Sequence, residues 1–144
     1  MSEDNLRWVV DASVGIKLFV NEEFSDKVHR FFIQLTEEIA SEFYVPDLFY
    51  IECANILLKY TRRFNRPLED AQADLIDLNK LILKTTPTSD LIEDSLLLAS
   101  VKKLSAYDAA YAVLAQKLDL PLITADVHLA RSIDWAVWIG DLDF

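Results

Sequence analysis

Glycine is nearly missing from this chain, with 2 among 144 residues, and it is joined by only 4 prolines and 1 cysteine. So little Gly and Pro, beside 52% hydrophobic and 11% aromatic residues, separates it from disordered and low-complexity chains and leaves ample material for a core. The lone Cys53 cannot close an internal disulfide, and without a His and Cys cluster around it makes no zinc site; a reducing compartment is expected. No stretch approaches the run of about eighteen continuous apolar residues that a spanning helix needs. The opening MSEDNLRW carries acids where a secretory leader carries bases followed by an apolar segment, so a cytoplasmic location without a membrane is expected. Bases are also scarce, 14 Lys and Arg against 24 acids, for a net charge of −10. Such a balance opposes a nucleic-acid partner unless some acids gather in a cation site and the bases form a local stripe.

The length suits a single domain over residues 1–144, with no repeat, linker or boundary. RWVVD at 7–11 reads as a short buried strand, and residues 12–20 turn to helical spacing without a turn signal. Residues 24–40 carry an amphipathic face at Val28, Phe31, Phe32, Leu35 and Ile39, and EFYVP at 42–46 is a second strand stopped by Pro46. A helix over 47–64 with Asp47 as N-cap follows, then one over 67–84 opened by Pro67 and acids. A short strand is expected at 85–88 and helices at 90–104 and 107–118. LPLITAD at 120–126 is a strand ending in an acid, followed by a helix at 127–133 and a final strand, WAVWIG, at 135–140. Strands alternating with helices predict an α/β fold whose mostly parallel sheet is covered on both faces. Ligands of such sheets bind beyond the carboxyl ends of the strands.

Asp11 and Asp126 close strands and should project from one edge of the sheet. Glu52 lies on a helix among Phe49, Ile51, Ala54, Ile56 and Leu57, and Asp108 near a helix start among alanines. Each has a plainer reading: Asp11 or Asp126 as a cap of the next helix, Asp108 as a partner of its own helix dipole, Glu52 as a solvated acid. Jointly those readings explain less, because carboxylates converging in an apolar crevice repel unless a cation compensates. An all-oxygen donor set suits Mg²⁺, with Mn²⁺ as the alternative, rather than zinc. Without a catalytic His or a nucleophilic Ser in a Gly-rich elbow, hydrolysis of a phosphodiester by metal-activated water is the economical chemistry.

Four blocks of the chain resemble the PIN-domain ribonucleases, and within them the VapC-type toxins of toxin–antitoxin pairs. VVDASV at 9–14 is similar to the first block, with Asp11 and Ser13; PDLFYIECANILL at 46–58 to the second, with Glu52 and Asn55. LSAYDAAYAVLA at 104–115 resembles the third, with Asp108, and LPLITADVHLA at 120–130 the fourth, with Thr124 and Asp126. The resemblance covers nearly the whole chain, in the family's order. It implies a three-layer α/β/α fold with a central parallel sheet, Mg²⁺-dependent endonuclease activity on RNA, self-association as a homodimer or larger oligomer, and an antitoxin that covers the site. It further implies Asp11, Glu52, Asp108 and Asp126 as the acidic site, the first and third touching the ion, with Ser13, Asn55 and Thr124 orienting ligands or waters. An antitoxin tail would place a basic side chain among the acids. Two other readings stand beside this one: a PIN-like binding module that no longer cuts, and a phosphatase or phosphoacceptor domain using Asp11 as nucleophile. The latter lacks a second Asp two residues on, where Ser13 stands.

The charge objection is met on one helix. At about 100° per residue, Glu52, Asn55, Lys59, Arg62 and Arg63 share one arc, turning basic roughly 10 Å from the acid. This stripe is expected to hold the RNA backbone, with Arg66 extending it beyond the helix. Cys53 should be buried packing. His128 could approach the site, though a lone His is more often structural. Trp135 and Trp138 are expected to share a face of the last strand, and the aromatics Phe31, Phe32, Phe43, Tyr44, Phe49, Tyr50 and Tyr60 to leave an apolar surplus for partners.

Overall fold

A strand buried on both faces begins the sheet: in β1 (Arg7–Val10), Trp8, Val9 and Val10 are at most 1% exposed. The computed structural model describes residues 7–37 and 41–143. After β1 come α1 (Ala12–Gly15), a 3₁₀ turn (Ile16–Leu18), α2 (Ser25–Thr36), β2 (Glu42–Pro46), α3 (Leu48–Phe64) and α4 (Leu68–Leu78). They are followed by β3 (Lys84–Thr86), a 3₁₀ turn (Thr88–Asp90), α5 (Ile92–Lys102), α6 (Ala106–Leu118), β4 (Leu122–Thr124), α7 (Val127–Ser132), β5 (Ala136–Trp138) and a last 3₁₀ turn (Ile139–Asp141).

The strands lie in the order β3-β2-β1-β4-β5, and every pair among the described residues is parallel. The chain steps outward from β1 to β3, returns across the sheet to β4, and steps the other way to β5. Right-handed crossovers then put α1 to α4 on one face and α5 to α7 on the other. Side-chain contacts agree: Phe31 of α2 meets Trp8 edge-on at 5.4 Å, while the Trp135 indole N–H donates to the Ala112 carbonyl of α6 at 2.8 Å. The direction reverses between β1 and β4, the kind of crevice where α/β sheets bind ligands. Val10 aligns with Ile123 there, so the next residue, Asp11, comes abreast of Thr124.

Glycine's scarcity shows at the helix ends. Asn65, Lys103 and Asp119 terminate α3, α5 and α6 in the left-handed region at φ 51°, 57° and 55°, a conformation that glycine would adopt without steric cost. Gly15 is instead spent on close packing, since a Cβ there would come within 2.7 Å of the Phe49 ring. That contact seats α1 against α3.

Several expectations are corrected. The helix opened by Pro67 ends at Leu78 instead of running to residue 84. Its last turn tightens, with Lys80 N–H donating to Asp77 O and Leu81 N–H to Leu78 O. Lys84–Thr86 leaves it to satisfy the backbone groups of β2. Asp47 does not cap α3: its Oδ1 accepts from the Thr88 N–H at 2.9 Å and hydroxyl at 2.5 Å, bonds that hold its carboxyl below the usual range. Trp135 and Trp138 do not share a face. Trp135 lies in the turn before β5, where its indole reaches α6, while Trp138, at the end of β5, meets Phe24. The apolar surplus is mostly aliphatic, because Phe31, Phe32, Phe43, Tyr44 and Phe49 are buried. Leu35 and Ile39 of the second expected helix fall outside the described side chains.

Candidate active site

Asp11 leaves β1 with extended backbone, φ −72° and ψ 147°, and its N–H donates to Ile123 O of β4 at 3.1 Å. It stands before α1 yet makes no side-chain cap bond. Its Oδ2 instead accepts from the Ser13 hydroxyl at 2.6 Å and the Thr124 hydroxyl at 2.8 Å. Both donors are tied down in turn: Ser13 Oγ accepts from Ala125 N–H at 3.0 Å and Thr124 Oγ1 from Asp126 N–H at 3.0 Å. With only 5% of its surface exposed, Asp11 loses hydration that favours the charged form, and burial pushes its carboxyl up to about 7. The hydroxyls oppose that rise, and the charges of Asp108 and Glu52 add to it.

Glu52, in the second turn of α3, is half-buried, and its Oε1 accepts from the Tyr111 hydroxyl at 2.7 Å. Burial raises its carboxyl and Asp108 raises it further, while the phenol opposes both. Asp108 stands in the first turn of α6, where Ser105 caps the helix by accepting the Asp108 N–H at 3.1 Å. Burial is the main cause that raises its carboxyl, followed by the neighbouring Asp126; Ser105 and His128 pull it down. Asp126 is exposed and caps α7, its Oδ1 accepting from His128 N–H at 2.8 Å and Leu129 N–H at 3.2 Å. Capping therefore accounts for Asp126 in part, and does not account for Asp11.

Four acids from four separate segments thus share one electrostatic environment at the β1/β4 reversal. Among the described residues they approach without closing into a ready-made cage of three or more metal-ligating side chains. The donor chemistry fits a hard divalent ion: carboxylate oxygens only, one of them fully desolvated and held by a single oxygen. Cys53 is buried, its thiol pushed up by burial, so it is no thiolate ligand.

Other candidates lie at the margins. Asn55 is exposed and lines a groove of about 500 Å³ with Ile51, Glu52, Ala54, Leu58 and Tyr107; no hydrogen bond among the described residues joins it to the acids. Lys59, Arg62 and Arg63 are exposed on the last turns of α3. Arg66 lies past the helix end as anticipated, but its guanidinium is engaged by Asp74 at 2.5 Å. Tyr111 was missed by the sequence reading. The signal available was its spacing, three residues after Asp108 on one helical face.

An all-parallel α/β sheet with an acidic crevice at its reversal point defines a class of protein, and the comparisons agree on which. The PIN domain model matches residues 8–133, so this chain belongs to the PIN domain family. Ribonuclease VapC3 of Pyrobaculum aerophilum is 35% identical over 128 residues, covering 88% of this chain and 94% of the relative. A crystal structure of a P. aerophilum protein superposes with a TM-score of 0.67 at 21% identity, over 96% of this chain and 93% of the other. A toxin–antitoxin complex from Klebsiella pneumoniae gives 0.63 at 18% identity, over 93% and 98%.

Proposed function

We propose that this chain is a divalent-metal-dependent endoribonuclease, acting on RNA phosphodiesters as the toxin of a toxin–antitoxin pair. The observation that carries the reading is Asp11, a buried carboxylate pinned through Oδ2 by Ser13 and Thr124 and lying in the field of Asp108 and Glu52. An unpaired acid kept at such cost implies a cationic partner. Asp11 and Asp108, with Glu52 and Asp126, are the side chains that would hold Mg²⁺ or Mn²⁺. Bound there, the ion supplies charge for the phosphate oxygens and lowers the pKa of water. Ser13 and Thr124 hold Asp11 through Oδ2, so Oδ1 is the oxygen left to meet the ion. A crevice carboxylate would take the proton of the attacking water as the new bond to phosphorus forms and the scissile P–O bond breaks, and the leaving oxygen would take a proton from solvent water. Lys59, Arg62 and Arg63 bind neighbouring phosphates.

Kinship to a protein named a ribonuclease supports the substrate class, and the fold shared with a toxin–antitoxin complex supports the partner. The groove of Ile51, Ala54, Leu58 and Tyr107 beside Glu52 suits a partner segment with apolar side chains and a basic end that reaches the acids. Self-association belongs to the same reading: Ile92, Leu96, Leu97 and Val101 are exposed apolar side chains on α5. No helix among the described residues is long and apolar enough to cross a membrane. The test is to express wild type and Asp11→Asn without a partner and map RNA ends. Discrete new ends and growth arrest with wild type alone support the proposal; identical maps reject it.

A further inference from the structure

Tyr111 is 0% exposed, yet it carries a hydroxyl, and a buried phenol requires a partner. It has one in the Glu52 carboxylate at 2.7 Å, a bond that joins α6 to α3. The two helices pack against different faces of the sheet, so this bond bridges the crevice. The Tyr111 hydroxyl donates, and the Glu52 carboxylate accepts through Oε1. Asp11 shows the same arrangement, with Oδ2 engaged by two hydroxyls. In both acids a hydroxyl engages one carboxylate oxygen, and no hydrogen bond among the described residues engages the other.

We infer that Tyr111 is the positioning residue for Glu52, a buried donor on α6 that holds one carboxylate oxygen so that the other meets a divalent cation. The inference rests on the cation-site reading above. Without the phenol, Glu52 on its half-exposed helix position reverts to a solvated rotamer ensemble, and the ion must then be met by an unordered ligand. Partners of this kind typically alter metal affinity by about 10- to 100-fold.

The test is calorimetric titration of Mn²⁺ into wild type, Tyr111→Phe, Glu52→Gln and the double variant, each first shown to melt cooperatively. Tyr111→Phe should weaken Mn²⁺ binding about tenfold. Glu52→Gln should weaken it at least as much, and the double variant should be no weaker than Glu52→Gln, because the phenol acts only through that acid. A merely structural role would give additive losses, and additivity overturns the inference, as does unchanged affinity in Tyr111→Phe. If Tyr111→Phe fails to fold, Tyr111→Met offers a second side chain without a donor, to be judged by the same comparison. Wild type that takes up no Mn²⁺ at all overturns the cation-site reading itself, an outcome distinct from wild-type uptake that ignores Tyr111.

Discussion

Replacing Asp11 by Asn should make the metal-free protein more stable, and the gain should depend on pH. A carboxyl ordinarily near 3.8 is pushed to about 7 in the fold, chiefly by burial. Below pH 4 the folded and unfolded chains both carry the proton. Between pH 4 and 7 only the folded chain keeps it, so each rise in pH favours unfolding; above 7 both are ionised and the full penalty remains. At about 1.4 kcal/mol per pH unit, that interval amounts to roughly 4 kcal/mol at pH 8. The side chain is almost fully buried, so solvent screening removes little of this. An Asn amide oxygen can accept the Ser13 and Thr124 hydroxyls in place of Oδ2, while the neutral group escapes the repulsion of Asp108 and Glu52. Asp11→Asn should therefore melt higher by on the order of 10 °C at pH 8, with the advantage shrinking toward pH 4. Scanning calorimetry in EDTA from pH 4.5 to 8.5 reads this directly. A variant no more stable than wild type at pH 8, or a difference that stays constant with pH, refutes the reasoning.

Three further outcomes rest on named residues. Charge reversal at Arg62 and Arg63 should weaken RNA binding and lower the slope of log affinity against log salt by about 0.7 for each phosphate that is no longer neutralised; filter binding at several salt concentrations measures it. Gly15→Ala should cost about 1–3 kcal/mol in urea denaturation, because its Cβ would press on the Phe49 ring that seats α1. Lys103→Gly should add about 1 kcal/mol by relieving an L-residue held at φ 57°, read as a higher urea midpoint at unchanged slope.

The parts of the fold most legible in the sequence are those where one physical demand dominates. WVV at 8–10 and LIT at 122–124 are buried on both faces, so their continuous apolar character marks them as strands. The acids that end them fall at the sheet edge by connectivity alone. The third strand was less legible because KLILKTT satisfies helical spacing equally well, and the deciding factor, the unpaired edge of β2, lies forty residues away. Asp47 likewise had a good local sequence for a cap, but Thr88 supplied a better donor pair from a distant turn. Tyr111 went unnoticed for a related reason: a tyrosine inside an alanine-rich helix reads as core until the partner of its hydroxyl is known. Kinship to a family located the four acids as blocks, whereas the hydroxyls that hold them were visible as a network only in three dimensions.

The most direct measurement of the central claim is RNA cleavage by the purified chain with Mg²⁺, with EDTA, and with Mg²⁺ restored, run beside Asp11→Asn and Asp108→Asn. The account predicts discrete cuts by wild type with Mg²⁺, their loss in EDTA, their return with added ion, and none from either variant while both remain folded. Equal cutting in EDTA, or cutting by the variants, would contradict it.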